Sequence, residues 1–208
     1  MLVNRHTYWY FVGIFPEKFC EEIKRFAIEL AKKEKAETGN RDDPNSDKYT
    51  VFKKRSLKKL HKTRKSIITW LDEPWIHIEL NRAARVANEH SGWGRKWSRQ
   101  ESIQFTEYNR GEHYGWHQDR WEEPLNSPGH FLHNTNRQLS MTINLSDPKD
   151  YDGGYLELCV IKDGKLKKMK VKEILPKGSV CVFPSETWHR VTPVTRGKRT
   201  SLVKWLSG

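Results

Sequence analysis

From Ser102 onward the chain breaks into short runs in which apolar and polar residues alternate, with turn residues between them. Ile103–Tyr108 and Leu139–Leu145 alternate, and Tyr155–Ile161 follows the pair Gly153-Gly154. Asp163-Gly164 reads as a hairpin turn. Leu166–Val171, Ser179–Phe183, His189–Val194 and Thr200–Trp205 continue the series. Roughly six to eight strands in ~105 residues predict a double-stranded β-helix, or jelly-roll, barrel. A period of two makes one face of each strand apolar, and two sheets bury those faces against each other.

The first hundred residues read differently. Thr7–Ile14 is aromatic and β-branched and predicts a strand. Pro16 opens a helix in which Phe19, Ile23, Phe26, Ala27, Leu30 and Ala31 recur at helical spacing. Residues 37–47 are rich in Gly, Asn, Asp and Pro and read as a loop. Val51–Ile68 is strongly basic, with eight Lys or Arg between Lys53 and Lys65. Trp75–Glu89 reads as a second helix. Helices first and strands later place the helices as a buttress on one outer face of the barrel. No internal repeat divides the chain, so residues 1–208 are expected to form one domain: a strand and helical support region over 1–100 and a jelly-roll core over 101–208.

Composition narrows the class. Hydrophobic residues are only 36%, but nine tryptophans supply large apolar area per residue, which argues for a packed core. No apolar run reaches membrane-spanning length, and Met1–Thr7 lacks the pattern of a secretory signal. Three dispersed cysteines, Cys20, Cys159 and Cys181, argue against a disulfide framework and fit a reducing cytoplasm. Cys159 and Cys181 sit in strand-like runs and are expected to be buried, inert thiols. A net charge of +12 favours acidic partners, whether nucleic acid, an acidic peptide or a dicarboxylate, although solubility alone is a competing reason for it.

Chemistry concentrates in Tyr108–Asp119 and Phe183–His189. His117 and Asp119 are two apart, so in an extended segment both point to one side. His189 lies 70 positions further on and must arrive on another strand. Two histidines and an aspartate on one face of a metal leave positions open, which suits non-haem Fe(II). Arg199 follows ten residues after His189 and is able to hold a carboxylate bidentately. His113 and His117 have zinc-helix spacing, but Gly111 and Gly115 argue against a helix there. His130 and His133 fall in a Pro/Gly/Asn-rich loop, Glu122–Asn136, read as solvated or as part of a substrate rim.

The motif Tyr108-x-x-Gly111-x-x-Tyr114-x-x-His117-x-Asp119, with Gly153-Gly154, Pro176-Lys177-Gly178, Phe183, His189, Val191 and Arg199, resembles the Fe(II)/2-oxoglutarate-dependent oxygenases. The likeness is to their prolyl 4-hydroxylase-like branch, including PKHD-type hydroxylases, and covers about half the chain, Ile103–Leu206. It implies a cupin-like jelly roll with Fe(II), 2-oxoglutarate and O2, and ascorbate as a reductant. It implies His117, Asp119 and His189 as metal ligands and Arg199, with Ser201, as the partner of the cosubstrate's C5 carboxylate. Tyr108 and Asn144 or Thr142 would touch the cosubstrate, Trp205 would wall the pocket, and Tyr114 and Arg137 would stand near the substrate. The implied reaction hydroxylates a C–H bond, in first place that of a prolyl residue in a protein or peptide, with succinate and CO2 as co-products. Arginine at the anchor is shared by several branches and does not identify the substrate.

Two other functions compete. A nucleic-acid demethylase of the same superfamily suits the basic charge, but those enzymes carry a second arginine six positions after the anchor, where Trp205 stands here. A non-catalytic basic jelly-roll module would not need an intact triad together with an intact anchor.

Overall fold

The computed structural model describes residues 6–38, 64–162 and 165–208. The basic segment Lys53–Lys65 and the 37–47 loop lie almost wholly outside them, as does the Asp163-Gly164 turn. The strands are β1 (Trp9–Phe11), β2 (Arg64–Lys65), β3 (Ile67–Leu71), β4 (Arg99–Gln100), β5 (Ile103–Tyr108), β6 (His113–His117) and β7 (Arg137–Asn144). They continue with β8 (Tyr151–Gly153), β9 (Leu156–Lys162), β10 (Lys165–Lys170), β11 (Val180–Pro184), β12 (His189–Val191), β13 (Val194–Gly197) and β14 (Arg199–Ser207). Two α-helices occur among the described residues, α1 (Glu17–Thr38) and α2 (Pro74–His90).

The strands among the described residues form two main sheets and a two-stranded ribbon, β13-β8. The larger has the order β1-β11-β7-β14-β5-β3, with β4 beside β14; the smaller has the order β10-β9-β12-β6-β2. All the pairings are antiparallel. This jelly roll, flanked by helices, is the architecture the alternation predicts. The β14 residues Arg199, Ser201, Val203 and Trp205 face inward by the period of two. Leu202 and Leu206 face outward and are buried against the helices.

The helices cover that outer face. Cys20, Ile23 and Ala27 of α1, and Ile76, Leu80, Ala83, Ala84 and Ala87 of α2, pack with Phe105, Ile143, Val182 and Leu202 of the large sheet. Alanines at close spacing let α2 approach the sheet, and Pro74 in its first turn costs no internal hydrogen bond. A second core between the sheets joins Leu156, Leu158 and Val160 of β9 to Val171, Ile174, Cys181 and Phe183.

Several elements depart from the expected ones. The first strand contracts to Trp9–Phe11, because Gly13 turns the chain at φ 57°. The run expected over His189–Val194 divides in two. Pro193 has no N–H for a ladder, and its carbonyl instead accepts from Gly154 at 3.1 Å. Ile67–Leu71, inside the basic stretch, is a strand that the jelly-roll count began too late to include; it closes the large sheet beside β5. Cys159 was expected inside but is only partly buried, since β9 alternation turns it to the outer face, while Cys181 is buried. His130 is exposed, as its loop predicts, and His133 is half-buried; each Nδ1 also accepts a backbone N–H, from Leu132 and Ser127 respectively.

Candidate active site

Antiparallel pairing sets His189 of β12 directly opposite His117 of β6. Asp119 follows β6 in a bend held by the N–H groups of Asp119 and Arg120, both donating to Ser185 O at 3.0 Å. Ligand atoms of His117, Asp119 and His189 lie within 4.8 Å of one another. His117 Nε2 is 3.6 Å from Asp119 Oδ1, and His189 Nε2 is 3.4 Å from Oδ2. Adjacent ligands about 2.1 Å from a common ion stand ~3 Å apart, so the set needs only slight closure.

The tautomers follow from the backbone. Each Nδ1 lies near the carbonyl two residues earlier: His117 with Gly115 O at 2.8 Å, His189 with Thr187 O at 2.9 Å. A carbonyl only accepts, so Nδ1 carries the hydrogen and the Nε2 lone pair faces the carboxylate. Burial, reinforced by His189, pushes the His117 pKa down to about 4, which keeps its imidazole neutral at pH 7. Burial alone would raise the Asp119 carboxyl, but the two imidazoles and a hydrogen bond from Ser140 hold it below the ordinary carboxylate range. That bond, Ser140 Oγ to Asp119 Oδ2, measures 2.7 Å, and Ser185 Oγ lies 2.9 Å from Ser140 Oγ. Two neutral imidazole nitrogens and one ionised oxygen on one side of a vacant point fit a divalent metal such as Fe(II).

The triad edges a narrow pocket that is also lined by Gln104, Tyr108, Tyr114, Thr142, Phe183, Val203 and Trp205. On the inward face of β14, two and four residues before Val203, stand Ser201 and Arg199, both buried. Arg199 Nη1 donates to Ser201 Oγ at 3.2 Å, and the guanidinium carbon is 5.8 Å from the Tyr108 ring centre. No carboxylate is paired with Arg199 among the described residues. Gly154 makes room for this arginine: at φ 57°, an added Cβ would stand 2.8 Å from Arg199 Cδ. Burial raises the pKa of Tyr108 and Tyr114, so both phenols are hydrogen-bond donors at neutral pH. The buried Trp205 Nε1–H makes no close hydrogen bond but stands near enough to Asp119 to help hold its carboxyl down.

Other expected residues are placed as follows. Asn144 shares the inward register, but its amide is engaged by the backbone, donating to Leu175 O at 2.6 Å and Ser146 O at 3.0 Å. Thr142 is the one of the two that lines the pocket. Tyr114 stacks on His117 with ring centres 3.6 Å apart. Arg137 grips Glu101 through two hydrogen bonds of 2.8 and 2.5 Å and lies 3.9 Å over Trp205.

Two residues escaped the sequence reading. Ser140 is an ordinary serine in a strand, legible only through its even spacing from Thr142 and Asn144. Arg64 lies 4.7 Å over the Tyr114 ring, on a strand hidden in the basic run, and its buried Nη2 has no partner among the described residues.

The fold and this constellation define a jelly roll built around three side chains able to hold one metal on open coordination. Residues 103–207 match the family model of the 2OG-Fe(II) oxygenase superfamily, and the chain belongs to that family. It is 39% identical over 102 residues to a PKHD-type hydroxylase of Pseudoalteromonas atlantica and 41% identical over 102 residues to one of Janthinobacterium sp.. Each match covers 49% of this chain and 41% of the relative, so the chain spans about two fifths of the length of these curated relatives. Among solved structures it is similar to the viral collagen prolyl hydroxylase of Paramecium Bursaria Chlorella virus-1. The TM-score is 0.63 at 18% identity, over 98% of this chain and 97% of that one. A Trichoplax adhaerens prolyl hydroxylase, in complex with a hypoxia inducible factor oxygen degradation domain peptide fragment, gives a TM-score of 0.64 at 16% identity over 96% and 83%. At these identities the structural likeness speaks for the fold. No helix among the described residues is long and apolar enough to cross a membrane.

Proposed function

We propose that the chain is an Fe(II)- and 2-oxoglutarate-dependent dioxygenase that hydroxylates a prolyl residue of a protein or peptide, with succinate and CO2 as co-products. The observation that carries this reading is an open His117–Asp119–His189 face on a pocket lined by Tyr108 and Val203, with the buried Arg199–Ser201 pair next on the same face of β14 as Val203. The prolyl hydroxylases among the structural neighbours support the choice of residue.

In this reading His117, His189 and Asp119 hold Fe(II), and their Nδ1–H and Ser140 hydrogen bonds keep the three groups aimed. When bound, the metal supplies the one-electron chemistry that couples oxidative decarboxylation of 2-oxoglutarate to O2 activation, with ascorbate as an external reductant. Arg199 takes the C5 carboxylate through charge-assisted hydrogen bonds, helped by the Ser201 and Tyr108 hydroxyls. Thr142, Val203 and Trp205 wall the cosubstrate and exclude water. Tyr114, and Arg137 locked by Glu101, frame the substrate side. The positive charge of the chain favours an acidic protein or peptide partner.

The test is Arg199→Ala with succinate formation as readout. Removing one partner of a buried charge pair costs roughly 2–5 kcal/mol, so the 2-oxoglutarate requirement should rise on the order of 30-fold or more. Mass spectrometry of proline-containing peptides should show gain of one oxygen with the native chain only. An unchanged cosubstrate requirement would remove Arg199 from the role, and oxygen gained only on non-prolyl residues would overturn the substrate.

A further inference from the structure

The catalytic reading uses the inner face of the small sheet and leaves its outer face unexplained. Leu156, Leu158, Val160, His189, Tyr114 and His117 point inward. By alternation, Glu157, Cys159 and Ile161 of β9, Leu166, Lys168 and Lys170 of β10 and Arg190 of β12 point outward; a register irregularity in β6 lets Tyr114 and His117 both face inward while Trp116 turns out to meet Lys168 and Arg190. Among the described residues no helix covers them; both described helices pack on the other sheet.

Rings and cations interleave on this face. Arg190 Cζ lies 4.9 Å from the Trp116 ring centre and Lys168 Nζ 5.6 Å from it. Lys170 Nζ lies 3.9 Å over Tyr155. Trp188, just before β12, is 48% exposed. On this face Lys168, Lys170 and Arg190 stand with a single acid, Glu157, which Arg190 pairs at 2.8 Å.

Lysines on β10 alone would need no further account, because charged edge strands resist edge-to-edge pairing. That reason does not reach Trp116 and Arg190, which sit on the interior strands β6 and β12. An acidic peptide would be served by the cations and would have no use for the half-exposed rings. Phosphates spaced along a strand of stackable bases use both, since cations follow the backbone while aromatic and guanidinium planes stack on bases.

We propose that the outer face of the small sheet, formed by Tyr155, Trp116, Trp188, Lys168, Lys170 and Arg190, binds single-stranded nucleic acid without sequence preference. The site lies on the side of the sheet opposite the metal ligands and does not depend on the catalytic reading.

Fluorescence anisotropy of the full chain with labelled 15-nucleotide oligo-U and oligo-dT tests it, in KCl from 50 to 300 mM. Saturable binding that weakens with salt is expected, and the two oligonucleotides separate an RNA from a DNA preference. Lys168→Gln/Lys170→Gln should lower the log–log salt slope by about 1.4, two phosphate contacts at ~0.7 each for a single strand. Trp188→Ala should weaken binding about five-fold or more, the loss of one stacked base. The idea is overturned by absence of binding at 50 mM KCl, by both variants binding like the native chain, or by polyglutamate competing as well as oligo-U. It is equally overturned if binding survives these changes and is lost in Lys58→Gln/Lys59→Gln/Lys62→Gln, which would assign it to the basic segment.

Discussion

Ser140→Ala probes how the site is held together without touching a metal ligand. The Ser140 hydroxyl donates to Asp119 Oδ2 at 2.7 Å, in a place where both side chains are nearly solvent-free. A hydrogen bond to a charged group contributes roughly 1.5–3 kcal/mol, and water cannot readily replace it here. Without it, the carboxylate loses a 2.7 Å donor, and the His189 Nε2 lone pair 3.4 Å from Oδ2 cannot take its place, so the aim of Asp119 rests, among the described residues, on Trp205 alone. At about 1.4 kcal/mol per tenfold, metal affinity should fall on the order of 10- to 100-fold, the usual cost of losing a group that orients a ligand. Mn(II) titration followed by electron paramagnetic resonance measures this directly, with no turnover required. Thermal unfolding of the metal-free variant serves as the control for folding. A Mn(II) affinity equal to that of the native chain, in a variant that folds normally, would refute the argument that Ser140 orients Asp119. Ser185 would then be the first replacement, since its hydroxyl is 2.9 Å from that of Ser140.

Gly154→Ala should damage the anchor from behind. Alanine at φ 57° costs roughly 1–2 kcal/mol, and its methyl would press on Arg199 Cδ from 2.8 Å. The expected result is a lowered melting temperature together with weakened 2-oxoglutarate binding and unchanged Mn(II) affinity. A second prediction concerns Lys204, buried on the opposite face of β14, where its Nζ meets His77 Nδ1 at 2.6 Å. Burial pushes its pKa from 10.5 down to about 8. Between those values the unfolded chain binds more protons than the folded one, so stability should rise with pH across about 8 to 10.5. The total is on the order of 3 kcal/mol. Urea unfolding at several pH values should show that rise in the native chain, and Lys204→Met should flatten it; an equal slope in both would exclude Lys204 as its source.

What the sequence determined by itself was local and periodic. The two-residue period of Ile103–Tyr108, Leu139–Leu145 and Thr200–Trp205 set which side chains face inward. Inward-facing Arg199, Ser201 and Trp205 were therefore legible before any sheet was drawn. The spacing of His117 and Asp119 made them candidates for one ion for the same reason. The helical periodicity of apolar residues over Trp75–Glu89 marked α2. Pairing decided the rest. Only the antiparallel register of β12 on β6 brings His189 opposite His117, across a separation no local pattern spans. Only the packing of Leu175 against the end of β7 engages the Asn144 amide and leaves Thr142 to line the pocket. Arg64 and Ser140 were invisible in the chain because nothing in a basic run or a strand serine signals a partner. They became part of the site when β2 paired with β6 and β7 carried Ser140 beneath Asp119. Periodicity fixes the face a residue occupies, because that depends on the backbone of its own strand. What it meets there depends on which distant strand pays its entropy to pair alongside, and that choice belongs to the whole fold.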